Sequence, residues 1–175
     1  MAGSGHKDGA GTLAERIAQA LLGAEFDPQH GSDLFLRADA ERAIKAALPG
    51  ARIAVAGKDG AAVRPAHFMG ARFAPDLVVE LAGSRPAAVT LTLLRGDAGP
   101  VPVALANALV LSARYGAVVA FFLDRRLAKR DPFAMDEEPA EPRGLSEAEQ
   151  GFVQQLWRDH RVKVEIRRQD PFGWG

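Results

Sequence analysis

The fold is decided between residues 75 and 124, where the sequence reads PDLVVEL (75–81), AAVTLTLLRG (87–96) and AVVAFFLD (117–124). The first two segments are rich in branched residues and are separated by a Gly-Ser-Arg-Pro turn, so we expect adjacent antiparallel strands. The third is a continuous apolar run, which is typical of a central strand covered on both faces. Between them, residues 101–115 are apolar almost all round, which predicts a helix buried on several sides.

The flanking sequence predicts further helices and strands. Thr12 and Glu15 have the spacing of a capping box, as do Ser146 and Glu149, and each pair is expected to open a helix. Another helix is predicted over residues 33–48. Residues 51–56 are expected to form a strand, and residues 61–68 are expected to pair with it as a hairpin. Residues 162–166 alternate apolar with charged residues and are expected to form an edge strand. The fold class is therefore α/β, with a mixed β-sheet flanked by helices.

The length of 175 residues is suited to a single domain. We expect that domain to span residues 12–168, after a glycine-rich disordered segment at residues 1–11. Residues 131–143 are rich in Pro, Asp and Glu, which predicts an exposed acidic linker. Residues 169–175 form a C-terminal tail that carries two aromatic residues.

Composition excludes several classes of function. The chain has no cysteine, so disulfide frameworks, thiolate zinc sites and cysteine nucleophiles are ruled out. Lysine plus arginine number 22 and aspartate plus glutamate also number 22, and this balance disfavours a large surface that follows nucleic-acid phosphates. Without a signal-peptide pattern or a long apolar span, a cytoplasmic location and no membrane association are expected.

The segments at 75–81, 87–96 and 117–124 together resemble the PD-(D/E)XK nuclease superfamily, whose fold is called restriction-endonuclease-like. In that family a strand that begins with Pro-Asp pairs with a strand that carries Glu-x-Lys, and a helix and a further strand follow. The resemblance implies that Asp76 is the motif aspartate. It places Thr90 at the glutamate position and Thr92 at the lysine position.

The two threonines imply a degenerate active site. In the family, the Asp and the Glu hold Mg²⁺ through hard oxygen ligands, and the Lys helps to offset charge during attack on the phosphate. Thr90 brings no charge to a metal ion, and Thr92 cannot neutralise an oxyanion. We therefore expect no catalytic residues, no bound metal and no cofactor. The expected function is that of a non-catalytic protein-interaction or accessory subunit.

Two alternatives remain open. In the first, the protein is a metal-dependent nuclease whose relocated site holds Mg²⁺ through Asp76 with Glu15 or Asp97. Glu80 is a poor substitute, because four residues along a strand separate it from Asp76 by about 13 Å. In the second, the protein binds nucleic acid without cleaving it. The plainer interpretation of Asp76 is a strand-end carboxylate that accepts hydrogen bonds from backbone amides.

Surface residues suggest where a partner binds. The basic residues Arg125, Arg126, Lys129 and Arg130 follow the last apolar segment and are candidate contacts for nucleic acid or a protein partner. Phe172 and Trp174 in the tail are candidate interface residues, because aromatic side chains are enriched at interface cores. We expect a protein partner or self-association, and removal of residues 169–175 is expected to weaken it while leaving the fold intact.

Overall fold

The computed structural model describes residues 8–27, 32–96, 98–126 and 145–169. They form four helices and seven strands, which follow one another in this order: α1 Asp8–Gly23, α2 Asp33–Ala47, β1 Arg52–Val55, β2 Ala66–Phe68, β3 Ala71–Phe73, β4 Leu77–Glu80, β5 Ala87–Leu94, α3 Pro100–Ser112, β6 Ala117–Asp124, α4 Glu147–His160 and β7 Val162–Arg168. Within these residues, no helix is both long and apolar enough to cross a lipid bilayer.

Five of the strands form one mixed sheet in the order β1-β4-β5-β6-β7. Strands β1, β4 and β5 are antiparallel neighbours, and β5, β6 and β7 run parallel. Helix α3 connects the first parallel pair and α4 the second. This confirms the predicted α/β class, the antiparallel pairing of the two segments at 76–94, and the edge position of the last strand.

The sheet separates two apolar cores. On one face, α1 and α2 cover a core that includes Ile17, Ile44 and Phe121. On the other face, Leu111 of α3 and Leu156 of α4 pack with even-numbered residues of β6 such as Phe122. Every residue of β6 is buried, as expected for a central strand with a helical layer on each side.

Three local expectations differ from the structure. Helix α1 begins at Asp8, four residues before Thr12, so Thr12 is inside the helix and residues 8–11 belong to it. Residues 66–68 pair with residues 71–73 instead of with β1. The expectation that α3 is buried on several sides is wrong, because only Ala108 and Leu111 of this helix are fully buried.

Strands β2 and β3 form a separate hairpin with a two-residue turn at Met69 and Gly70. Both turn residues have positive φ angles, 48° and 82°, which is the geometry that two-residue hairpin loops favour. Glycine adopts this conformation without strain, whereas an L-residue with a side chain such as methionine is held there at a cost of about 1–2 kcal/mol. The Met69 side chain is 92% exposed, so burial of that side chain does not offset the cost.

Candidate functional site

Asp76, the candidate motif aspartate, lies immediately before β4, and both of its carboxylate oxygens accept hydrogen bonds. Oδ1 accepts from Arg37 Nε at 2.7 Å, and Oδ2 accepts from the backbone amide of Leu91 at 2.8 Å. Its backbone also joins two strands, because its amide donates to Val89 and its carbonyl accepts from Ala56. Asp76 is thus a strand-end carboxylate that accepts from one backbone amide and from one arginine side chain.

Thr90 and Thr92 lie on β5 on either side of Leu91, so the structure brings Asp76 to the strand that carries both threonines. Side chains alternate along a strand, so the two threonines lie on the same side of the sheet as Ala88 and Leu94. This is the side that α3 covers. Thr90 is only 3% exposed, and its hydroxyl has no hydrogen-bond partner among the described residues. Thr92 is half-buried.

A second unpartnered polar atom lies in the same helical layer. Asn107 of α3 donates from Nδ2 to the carbonyl oxygen of Ala74 at 3.4 Å. Its Oδ1 is buried and, like the Thr90 hydroxyl, accepts nothing from the described residues. A buried polar group without a partner costs about 1–3 kcal/mol. Both atoms are neutral oxygens, whereas proteins hold Mg²⁺ through one or two carboxylates, so these two atoms alone do not make such a site.

Among the described residues, the groups around Asp76 do not form the magnesium site that the nuclease resemblance implies. The Asp76 carboxylate forms an ion pair with Arg37 and accepts a hydrogen bond from the Leu91 amide. Glu15 is exposed on α1, and Asp97 lies outside the described residues. No group of three or more His, Cys, Asp or Glu residues in the described part of the chain is arranged to hold a metal ion.

The predicted basic contact region begins at the carboxyl end of β6, where two arginines are engaged within the fold. Arg125 is 6% exposed and donates to the Gln169 side chain at 3.0 Å and to the carbonyl of Asp27 at 2.7 Å. Burial lowers the pKa of its guanidinium, and the nearby Arg95 acts in the same direction. Arg125 therefore links the segments around Asp27 and Gln169 to the end of β6. It is not the exposed contact residue that the sequence suggested.

Arg126 forms a two-point contact with the Asp124 carboxylate. Its Nε donates to Oδ1 at 2.8 Å and its Nη2 to Oδ2 at 2.7 Å. The hydrogen bonds from Arg126 hold the pKa of Asp124 below its ordinary value. The Nε atom of Arg168 lies 4.0 Å from Oδ2 of the same carboxylate. The basic residues at this end of the sheet thus stabilise the protein itself.

Gln169, the first residue of the predicted tail, makes several hydrogen bonds to the domain. Its amide nitrogen donates to the carbonyl of Asp124, its side-chain oxygen accepts from Arg125, and its side-chain nitrogen donates to the carbonyl of Phe26. A cut before Gln169 would remove these contacts. Lys129, Arg130, the linker at 131–143, Phe172 and Trp174 lie outside the described residues.

An exposed apolar surface lies on α3, where the sequence predicted burial. Val103, Ala106, Val110 and Ala113 recur at helical spacing, and Val103 is 72% exposed. A shallow pocket of about 520 Å³ joins Val110 and Ala113 to Phe68 of the β2–β3 hairpin, and Phe68 is 58% exposed. We call the three α3 residues Val103, Ala106 and Val110, with Ala113 at the end of the helix and Phe68 and Met69 of the hairpin, the α3 face. The apolar residues all round this helix predict burial, but some of them form the exposed surface instead.

Comparison of the chain with models of protein families, with curated proteins and with solved structures finds no match in any of the three.

Proposed function

We propose that this chain is a non-catalytic protein with a PD-(D/E)XK-like fold that acts by binding another protein chain through the α3 face. The nuclease resemblance is supported by the antiparallel β4–β5 pair, with Asp76 at its start, followed by a helix and a parallel strand. Loss of catalysis is supported by Arg37, which neutralises Asp76, and by the buried, uncharged Thr90.

The observation that carries the binding function is the uncharged, exposed side of α3. The helix sequence PVPVALANALVLS contains no charged residue, although only Ala108 and Leu111 are fully buried. Exposed apolar surface of this kind marks interaction sites in proteins. The adjacent hairpin holds Met69 in a left-handed conformation with its side chain in solvent, and strain of this kind concentrates at functional positions.

The occupant that fits this face best is a second copy of the same chain. A two-fold interface brings the same patch of both copies together, so a charged patch would meet its own charge. A patch without charge avoids this repulsion, and it buries apolar surface from both copies without desolvating an ionic group. The helical stripe of the α3 face meets this requirement because it consists of valine and alanine, while His67 and Arg114 also line the pocket beside it.

Sedimentation velocity tests the proposed association. The natural protein is expected to form a dimer at micromolar concentrations, and the Val103→Glu, Phe68→Glu double variant is expected to be a monomer, since each interface would then bury two carboxylates from each copy. Leu34→Glu is the matched control: Leu34 is 68% exposed, but on α2 in the other helical layer. A monomeric natural protein, or equal loss of the dimer in the control, would contradict self-association through this face.

The tail provides a second, separate test of binding. Removal of residues 170–175 takes away Phe172 and Trp174 and leaves Gln169 with its contacts to Arg125 and Asp124. The truncated protein is expected to keep its unfolding midpoint and to associate more weakly. Unchanged association after this cut would leave the α3 face as the interface and remove the tail from it.

A nuclease assay tests the absence of catalysis. Purified protein is expected to leave single-stranded DNA, double-stranded DNA and RNA intact with either Mg²⁺ or Mn²⁺, because the groups around Asp76 do not form a cation site. Thr90→Glu with Thr92→Lys is not expected to restore cleavage, since Arg37 still occupies the Asp76 carboxylate. Metal-dependent cleavage by the natural protein that Asp76→Ala abolishes would instead establish a relocated active site.

A further inference from the structure

Four arginines line one open pocket at the amino ends of β5 and β6, at the opposite end of these strands from Asp124. The pocket has a volume of about 610 Å³, within the size range of small-molecule sites. Its cationic side chains come from four separate parts of the chain: Arg52, Arg64, Arg85 and Arg114. Among the described residues that line it, Glu80 alone is acidic.

The topology explains why these residues meet. Arg52 and Glu80 are register partners at one end of the β1–β4 pair. Arg85 lies on the turn between β4 and β5, and Arg114 lies between α3 and β6. The amide of Gly116 donates to the carbonyl of Pro86 at 3.0 Å, which holds these last two connections together.

The charges in this pocket are not balanced. Glu80 approaches Arg52 at 3.8 Å, and both side chains are well exposed. Arg64, Arg85 and Arg114 are exposed and have no carboxylate within ion-pair distance in the described part of the chain. Three guanidinium groups around one concavity repel one another, and this repulsion is relieved when an anion enters.

Tyr115 provides a fixed wall for the pocket. It is 9% exposed, and its hydroxyl donates to the carbonyl of Arg64 at 2.7 Å, which fixes the backbone of the Arg64 segment. Burial raises the pKa of this phenol, while the charges of Arg114 and Arg64 lower it and that of Glu80 raises it. Tyr115 lines the pocket together with Arg64, Arg114 and Glu80.

We propose that this pocket binds a small ligand that carries two or more adjacent phosphate groups, with Arg64, Arg85 and Arg114 as the phosphate-binding residues. Guanidinium groups present planar pairs of N–H donors that match phosphate oxygens, and they keep their charge at any physiological pH. A single phosphate engages one or two such groups, so three unpaired arginines fit an oligophosphate better. This inference depends on neither the nuclease resemblance nor the α3 face.

Isothermal titration with sodium tripolyphosphate, in the absence of divalent cations, tests the proposal. The Arg85→Gln, Arg114→Gln double variant is expected to bind at least about tenfold more weakly than the natural protein, since removing one charge-assisted hydrogen bond to the ligand weakens binding by about a factor of ten. The control is Arg16→Gln with Lys45→Gln, which removes the same charge from exposed positions on α1 and α2, outside the pocket. It is expected to retain the natural affinity.

A short single-stranded oligonucleotide, titrated in parallel, separates a small ligand from a nucleic-acid backbone. Binding of tripolyphosphate that weakens in the pocket variant alone supports the proposal. Absence of tripolyphosphate binding overturns it, and so does equal weakening in both variants, which would reflect net charge only. Binding of the oligonucleotide without binding of tripolyphosphate also overturns it, in favour of a nucleic-acid surface.

Discussion

At the carboxyl end of β6, Arg125 and Arg126 are engaged in hydrogen bonds within the fold, whereas at the amino ends of β5 and β6 three arginines face a pocket without a carboxylate partner among the described residues. Arg125 and Arg126 represent the first end, with donors directed at Gln169, at the Asp27 carbonyl and at Asp124. Arg85 and Arg114 represent the second. Arginine thus stabilises the fold at the carboxyl end of β6, and it is available to bind a ligand at the amino ends of β5 and β6.

Asp76 belongs to the paired end, because β4 runs antiparallel to β5 and Asp76 precedes it. Its pairing with Arg37 follows the pattern of Asp124 with Arg126. The carboxylates of Asp76 and Asp124 are both engaged by arginines, which leaves them little capacity to bind a further ion. The candidate nuclease end is therefore a region of structural ion pairs, and ligand binding is expected at the other end or on the α3 face.

The largest expected effect is at Arg125. Arg125→Ala removes a buried guanidinium and leaves the Gln169 side chain and the Asp27 carbonyl without their donor, so the free energy of unfolding is expected to fall by about 3 kcal/mol. Urea denaturation measures this change. Arg85→Ala is the matched control at the amino end, and a loss as large there would remove the contrast between the two ends.

Asp76→Ala is expected to lower the free energy of unfolding by about 2 kcal/mol. It removes acceptors for Arg37 and for the Leu91 amide, which the structure assigns to linking α2, β4 and β5. A double-mutant cycle with Arg37→Gln is expected to give positive coupling between the two side chains. A stability unchanged by Asp76→Ala would mean that Asp76 is not a structural carboxylate.

The ion pair of Asp124 makes the free energy of unfolding depend on pH. Hydrogen bonds from Arg126 lower the pKa of Asp124 in the folded protein, so its charged form contributes stability above the unfolded-state pKa. That contribution is lost as the pH falls through the folded-state pKa. Asp124→Asn is therefore expected to destabilise the protein by about 1 kcal/mol at pH 7 and to unfold like the natural protein in strong acid. Denaturation at several pH values measures the difference, and a constant difference would contradict this role.

Thr90→Val tests whether the threonine in the glutamate position has any ligand. The change keeps the shape of the side chain and removes a buried hydroxyl that has no partner among the described residues. We expect stability to rise by about 1 kcal/mol in thermal or urea unfolding. A decrease would show that the hydroxyl binds something in solution, with Thr90→Ser as the control that keeps it.

The smallest expected effect is at the amino end. The Arg85→Gln, Arg114→Gln variant is expected to change the free energy of unfolding by less than about 0.5 kcal/mol, because both side chains are exposed and unpaired in the described part of the chain. Urea denaturation beside the Arg125 variant measures it. A large loss would assign a structural role to these arginines.

The sequence by itself determined the features that depend on neighbouring residues. The apolar segments gave the paired strands β4 and β5 and the buried strand β6, and Ser146 with Glu149 gave the capping box that opens α4. The equivalent spacing at Thr12 and Glu15 gave a wrong start, because α1 begins earlier, at Asp8. Local patterns show which conformation is favourable, but a helix continues into any preceding residues that tolerate it.

Only the tertiary structure decided which charged residues are structural and which are available. Arg37 meets Asp76 across 39 positions of sequence, and Arg125 meets Gln169 across 44. Arg52, Arg64, Arg85 and Arg114 carry no shared spacing, yet the loops at one sheet end bring them around one pocket. Side chains this far apart have no local signature, because their proximity depends on the order of strands in the sheet and on the helices that cover it.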